Sequence, residues 1–428
     1  MIHDKAKVIA TTSEVFLIEG GKPLSGQVIL SGAKNAALPL LVAACLGEEA
    51  TTLENVPIHL NDVQVLIELL QAMDAEIEVE GSTVRCARGM MRGGEVPSSL
   101  ANQIRYSLLL LGLFAGMQTE VLLPQPGGCN IGDRKYDLHI MGLRKLGAIL
   151  EEDATGIVLK SKRLRGASID FYLPTTSGTE NIMIAAALAD GTTTIRNANT
   201  RPEVQQLGDL LSAMGARVKM QSRIVEIQGQ ERLRGGAKLS IMPGWDEAIT
   251  YIVAAAVSNG EVVIRDFNLS SIKEDARYLR EAGIDLFEWQ GNVYVSGKRE
   301  KKPFDLFTAP YPGVNSDMQP IFAALAATIS GVSSFTDLRF TDRFKYVEEL
   351  KLFGVDIDSF GNTAIVRGGN PLTGADVIAP DLRGGAACIL CGLAASGVTH
   401  VRNVYQIERG YESLVEKLSA LGASIRRL

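Results

Sequence analysis

Cysteine is scarce and irregularly placed. The 428-residue chain has five, an odd number, and Cys45, Cys86 and Cys129 show no C-x-x-C spacing. Cys388 and Cys391 are three apart but have no second pair to complete a zinc site. Free thiols in a reducing, cytoplasmic setting fit this usage. A basic excess is also missing: 43 Lys and Arg against 49 Asp and Glu leave a formal charge of −6, which argues against a general nucleic-acid binder. An anionic ligand would therefore have to be met by a local cluster of cations. Long apolar runs are absent as well. Ala36–Gly47 and Tyr106–Met117 fall short of the roughly 20 residues that cross a bilayer. Met1–Lys7 mixes acid and base with no apolar region after it, so neither a span nor a signal peptide is expected. Proline is sparse at 15 residues, whereas glycine is in excess at 43, a balance that points to many tight connections.

What is present is enough to fold throughout. Hydrophobic residues make up 46% and charged residues 21%, far from the composition of disordered chains. At roughly 150 residues per domain the length implies two to four domains. A finer division comes from a pattern that recurs six times: a helix-like segment, a small turn, an alternating strand, a second turn and another strand. LLSAMGARVKMQSRIVEIQG and LREAGIDLFEWQGNVYVSG are two copies, and LSALGASIRRL is a sixth cut short by the end of the chain. Their turns fall at Asp74, Gly147, Gly215, Gly283, Gly354 and Gly422, spaced by 73, 68, 68, 71 and 68 residues. A second series, Gly47, Gly116, Gly191, Gly260, Gly331 and Gly397, follows apolar helix-like runs and precedes short strands. There glycine is expected to supply the left-handed residue that ends a helix. The period predicts six βαβαββ modules of an α/β protein with internal symmetry.

Several segments could carry chemistry. In LSGAKNAALPLLVAACL, Lys34 and Asn35 fall at a helix start, where free N–H groups and the dipole already favour an anion. The alternative is a solvated lysine with Ser31 as the cap. In PQPGGCNIGDRKYDLH, Cys129 lies among Pro126, Gly127, Gly128 and Gly132, with Arg134 five residues on. A thiol on such a loop near cations is expected to be reactive. Cys45, Cys86, Cys388 and Cys391 read instead as buried and inert. SDMQ at Ser316–Gln319, TDRF at Thr341–Phe344, PDLRGGAA from Pro380 and IERGYE from Ile407 place acids and arginines at turns of successive repeats. Each alone reads as a surface ion pair; brought together they would read as a ligand site. His139 could be a base, or could bind or merely support as part of an amphipathic helix.

Taken in order, SGAKNAAL, PGGCxIGxRxxDLH, SDMQ, DRF, DLRGGAA and ERGYE resemble the enolpyruvyl transferases, in particular the branch that acts on UDP-N-acetylglucosamine. The resemblance implies a two-domain, inside-out α/β barrel of six βαβαββ repeats, three per domain, with a cleft that closes over the substrates. Domain I would span residues 34–242 with the Cys loop, and domain II residues 1–33 plus 243–428, the chain crossing twice. The strands missing from the sixth repeat would be those at the N-terminus.

The resemblance also implies the chemistry: transfer of the enolpyruvyl group of phosphoenolpyruvate to a hydroxyl of a uridine nucleotide, through a tetrahedral intermediate and with release of phosphate. For UDP-N-acetylglucosamine the acceptor would be the sugar 3-OH, a step of peptidoglycan precursor synthesis. No metal or organic cofactor is implied, and neither nucleic acid nor membrane is an implied partner. Lys34, Arg105, Arg134, Arg343, Arg383 and Arg409 match the phosphoenolpyruvate-binding positions. Guanidinium groups suit its carboxylate and phosphate. Asp317 matches the carboxylate proposed as general base, and Cys129 the general acid and covalent partner that makes the family susceptible to the epoxide fosfomycin. Lys34 and Arg409 join them as catalytic cations. Asn35, Arg134, Asp137, Leu138, His139, Thr175, Ser177, Gly178 and Asp317 match positions that hold the uridine nucleotide. For Asp317 a plainer role, N-cap of the helix MQPIFAALAATI, is open beside the catalytic one.

Three segments depart from the family pattern. Its Ser-Val-Gly-Ala-Thr diphosphate stretch reads Thr175-Thr176-Ser177-Gly178-Thr179, with Leu173 upstream where some members are basic. Its Pro-Asp-Arg-Ile-Glu reads Pro243-Gly244-Trp245-Asp246-Glu247, and its Asn-Arg-Phe reads Asp342-Arg343-Phe344. These changes leave open a paralogue that transfers enolpyruvyl to the ribose of UMP in nucleoside-antibiotic biosynthesis, or an idle uridine-nucleotide-binding regulator. Retention of Cys129, Asp317 and the cations weighs against the regulator.

Overall fold

A computed structural model describes residues 14–127, 135–340 and 342–428. Each repeat opens with a helix that has little or no polar face. Six such helices, Lys34–Ala44, Leu109–Gly116, Thr176–Ala186, Trp245–Val257, Gln319–Ala327 and Leu382–Ala394, head the six repeats. A helix without a polar face has nothing to offer water and must lie inside. Every residue of Leu109–Gly116, Trp245–Val257 and Gln319–Ala327 is buried. The second helix of a repeat is amphipathic instead. Pro202–Ala213, for example, buries Val204, Leu207 and Leu211 at helical spacing and leaves its other side to solvent.

Among the described residues, six four-stranded sheets share one topology. In the third, Ser168–Asp170 runs parallel to Thr192–Arg196. That strand pairs antiparallel with Ile224–Gln228, and Arg217–Gln221 closes the hairpin at the edge. Burial alternates along Ile224–Gln228, so one face packs on helices and the other meets water. The sixth sheet completes itself with a distant segment: Val15–Glu19 lies between Val398–Arg402 and Ser424–Arg427, antiparallel to both. Lys238–Ser240 pairs with Thr51–Glu54, and Ser25–Ile29 with Glu261–Arg265, each in parallel.

The described residues form two compact units, 31–127 with 135–242, and 14–30 with 243–428. Each unit has its own apolar core. Within each, three of the buried helices pack on one another, with sheets outside them. Among the described residues no helix is long and apolar enough to cross a membrane.

All six turn residues of the first series have positive φ, from Asp74 at 66° to Gly215 at 117°. The second series behaves as expected only at Gly191, Gly331 and Gly397. Gly47, Gly116 and Gly260 are not left-handed. Asn259, at φ 52°, takes that conformation ahead of Gly260. Gly260 serves a close approach instead, because a Cβ there would stand 2.3 Å from the Leu24 carbonyl oxygen.

Candidate functional site

In the unit containing residues 243–428, the starts of the three buried helices meet. Asp246 lies in the first turn of Trp245–Val257, Asp317 in the short 3-10 turn Ser316–Met318 just before Gln319–Ala327, and Arg383 in the first turn of Leu382–Ala394. Arg343 comes from the turn Arg343–Lys345. Its Nη2 donates to Asp317 Oδ1 at 3.1 Å, its Nε donates to the Ser316 carbonyl at 3.2 Å, and its Nη1 stands 3.7 Å from Asp381 Oδ1. Arg383 Nη2 donates to Asp246 Oδ2, and its Nε stands 3.7 Å from Asp317 Oδ2. Asp317 thus bridges two guanidinium groups, each 2% exposed, while keeping 31% of its own side chain open. These are not surface ion pairs. Asp317 is not an N-cap either: Asn315 caps the short turn by accepting from the Asp317 N–H, and Met318 precedes the helix. Its carboxylate is left for the arginines.

Buried charge is costly unless paired, and here each guanidinium faces fixed carboxylates. Burial pushes the Arg383 guanidinium towards losing its proton. Asp246, Tyr411 and Asp317 more than offset that and hold its pKa above the ordinary value. Even so, Arg383 Nε and Nη1 are buried with no hydrogen-bond acceptor among the described residues. Such donors call for an anion. Arg409 follows the helix Tyr405–Glu408, is 7% exposed, and donates from Nη1 to Gln406 Oε1 at 3.4 Å. The paired glycines of LRGGAA let this segment close in: a Cβ on Gly385 would come within 2.5 Å of Ile407 Cγ1.

The unit containing residues 31–242 builds a different cluster. His139 lies in the helix Asp137–Lys145 and is 3% exposed. Asn181 Oδ1 accepts from the Gly112 N–H at 2.8 Å, so its Nδ2 donates to the Leu108 carbonyl and to His139 Nδ1. The imidazole proton therefore sits on Nε2 and is donated to Ser177 Oγ at 3.1 Å. Burial, then the charge of Arg105, pushes the His139 pKa down to about 3, against a smaller opposing effect of Asp137. A ring that is neutral at ordinary pH and bonded through both nitrogens is a support for Ser177 rather than an open base.

Ser177 lies in the first turn of Thr176–Ala186, where Thr175 caps the helix by accepting from the Gly178 N–H at 3.3 Å. Thr175 is 7% exposed, so its hydroxyl is committed to the cap. Asp137 is exposed and accepts from the Tyr172 hydroxyl at 2.6 Å, whereas Leu138 is buried in the core at 6%. The Arg105 guanidinium lies over the Tyr136 ring, 5.5 Å from its centroid.

Lys34 opens the helix Lys34–Ala44 with Asn35 beside it. The cap residue is Ala33, without a side-chain bond, so Ser31 does not cap and Lys34 is not solvated. Its side chain is 12% exposed, and Nζ pairs with Asp62 at 3.1 Å. Cys45, Cys86, Cys388 and Cys391 are free and buried. The Cys86 thiol and burial push Cys45 up, and burial pushes Cys388 up and Cys391 to about 12. Cys129 and Arg134 lie outside the described residues. Asp246, Asp381, Tyr411, Asp62 and Asn181 were not singled out from the sequence. Of these, Asp246 carried a signal by its place in a segment that departs from the family pattern, and Asp381 and Tyr411 by theirs in the DLRGGAA and ERGYE motifs.

Residues 18–418 match the model of the EPSP synthase (3-phosphoshikimate 1-carboxyvinyltransferase) family. The chain is 40% identical to UDP-N-acetylglucosamine 1-carboxyvinyltransferase 1 of Symbiobacterium thermophilum, over 98% of its own length and 96% of the relative's. It is 41% identical to UDP-N-acetylglucosamine 1-carboxyvinyltransferase of Desulfosudis oleivorans, over 96% and 99%. Among solved structures, the enolpyruvyl transferase NikO from Streptomyces tendae is similar with a TM-score of 0.88 at 25% identity, over 97% of this chain and 99% of that one. EPSP synthase from Acinetobacter baumannii shares the fold with a TM-score of 0.76 at 18% identity, over 97% and 100%.

Proposed function

The chain belongs to the enolpyruvyl transferase family, and from that premise we propose that its acceptor is UDP-N-acetylglucosamine, a precursor of peptidoglycan. Relatives near 40% identity that bear this substrate in their names support the reading. The single observation that carries the anion-binding part is Arg383, a buried guanidinium with two donors lacking acceptors beside the partly open carboxylate of Asp317.

In this reading the hydroxyl of the acceptor loses its proton to Asp317 while its oxygen bonds to C2 of phosphoenolpyruvate. A proton is added at C3 by Cys129, giving the tetrahedral intermediate. Loss of a C3 proton and of phosphate then restores the enol ether, so atoms and charge balance. Lys34, Arg105, Arg134, Arg343, Arg383 and Arg409 hold the carboxylate and phosphate of the donor and stabilise the anionic intermediate. Asn35, Arg134, Asp137, Ser177 and Gly178 hold the nucleotide, with His139 supporting Ser177, Thr175 capping its helix and Leu138 packed behind them. The positive end of the helix Thr176–Ala186 and the Ser177 hydroxyl suit its phosphates.

The test is phosphate release from phosphoenolpyruvate with UDP-N-acetylglucosamine or UMP offered separately. Release with the UDP-sugar is expected. Release with UMP alone would move the acceptor to a monophosphate, and release with neither would overturn the proposed acceptor class.

A further inference from the structure

The segment 243–247 departs from the family pattern, and one of its residues is wired into the cluster just described. Asp246 is 5% exposed. Its Oδ1 accepts from the Glu247 N–H at 2.9 Å, and its Oδ2 pairs with Arg383 Nη2. One turn further along the same helix, Thr250 Oγ1 donates to the Asp246 carbonyl at 2.9 Å and stands 2.8 Å from the Tyr411 hydroxyl. With the Thr250 proton already committed, the Tyr411 hydroxyl is the donor in that second bond. The Tyr411 ring in turn lies against the Arg383 guanidinium, 5.1 Å from Cζ to the centroid. The helix Trp245–Val257 therefore fixes Arg383 twice, through a carboxylate on one nitrogen and, by way of Thr250, through an aromatic face.

We propose that Asp246 is a positioning residue that holds Arg383 back from a direct bond to Asp317, keeping Nε and Nη1 for phosphoenolpyruvate and sparing the Asp317 carboxylate, which already accepts from Arg343, a second guanidinium bond. The gap that Asp246 maintains is small, since Arg383 Nε is 3.7 Å from Asp317 Oδ2. A charge-assisted bond between them needs a shift of less than about 1 Å. Without Asp246, that shift turns the existing ion pair into a direct hydrogen bond that occupies both the anion donor and the base. The inference rests on the reading of Arg383 as a phosphoenolpyruvate ligand.

The experiment is steady-state kinetics with phosphoenolpyruvate and UDP-N-acetylglucosamine varied in turn, with calorimetric nucleotide binding in the absence of phosphoenolpyruvate. Asp246→Ala is expected to lower kcat/KM for phosphoenolpyruvate about 100-fold, the effect of a misplaced group, while nucleotide Kd changes less than about twofold. Asp246→Asn, which keeps one oxygen for Arg383, recovers part of that loss. Thr250→Val, which releases Tyr411, lowers the same parameter about tenfold and covers the case in which Asp246→Ala does not fold. Equal losses for both substrates, or an unchanged kcat/KM for phosphoenolpyruvate in Asp246→Ala, overturn the proposal. Arg383→Lys separates the two layers. If it leaves phosphoenolpyruvate KM unchanged, the ligand reading itself fails; if it raises KM while Asp246→Ala does not, only the positioning role fails.

Discussion

The two units repeat one module three times each, yet a polar cluster in one is built in the opposite way to a polar cluster in the other. In residues 243–428 the meeting helix starts hold full charges: Arg343 and Arg383 are locked among Asp246, Asp317 and Asp381. In residues 31–242 the cluster around His139 is neutral, a chain of hydrogen bonds from Gly112 and Leu108 through Asn181 and His139 to Ser177. The first arrangement stores strong fields in a low-dielectric setting and suits chemistry on an anion. The second orients a hydroxyl at a capped helix start without net charge and suits recognition. A module, then, does not dictate its electrostatics; the few residues at its helix starts do.

The comparison breaks first at Asp317. Asp317→Ala is expected to lower kcat about 1,000-fold, as for removal of a general base, with nucleotide Kd changed less than about threefold by calorimetry. Equal losses in both would make this carboxylate structural and erase the contrast between the halves. In the neutral cluster the largest effect falls on stability. Asn181→Leu strands the Gly112 N–H, the Leu108 carbonyl and His139 Nδ1, and is expected to cost about 3 kcal/mol in urea unfolding. A loss under about 1 kcal/mol would mean that the network is not a unit.

Acid titration sharpens the same point. The unfolded chain protonates His139 near 6.5 and the folded chain only near 3. Between these values the unfolded state binds more protons, so stability falls as pH is lowered through that window and is untouched by this residue above it. His139→Gln is expected to remove this slope of about 1.4 kcal/mol per pH unit, so that the difference in unfolding free energy between the two proteins changes by that amount per unit. A difference that stays flat between pH 6 and 4 would contradict a neutral buried ring. The smallest effect is expected at Ser177→Ala: nucleotide KM up about tenfold with kcat little changed. A fall in kcat instead would give the His139 cluster a part in the chemistry.

The motifs were legible as strings well before their partners were. SDMQ, DRF and DLRGGAA announce acids and arginines, but nothing in their spacing says that Asp317 lies between Arg343 and Arg383 rather than at a cap. Ser31 read as a plausible cap for the first helix, yet the chain reaches that helix through Ala33. The left-handed glycine expected at Gly260 failed because Asn259 meets that need and Gly260 answers another. Local sequence states which residue could be left-handed; it does not state which backbone will arrive opposite.

By itself the sequence determined what is periodic: six repeats, apolar helices that must be interior, turn residues of positive φ and the order of strands in each hairpin. These follow from interactions over a few residues, whose physical rules are local. Tertiary structure alone decided what is paired. Val15–Glu19 completes a sheet whose other strands lie at the far end of the chain, and Asp246 finds Arg383 across an intervening repeat. The neutrality of His139 likewise depends on its burial and on the charge of Arg105, and its tautomer on Asn181, all brought by other elements. A buried charge or ring takes its state from everything packed around it, and that surrounding exists only once the helices have come together.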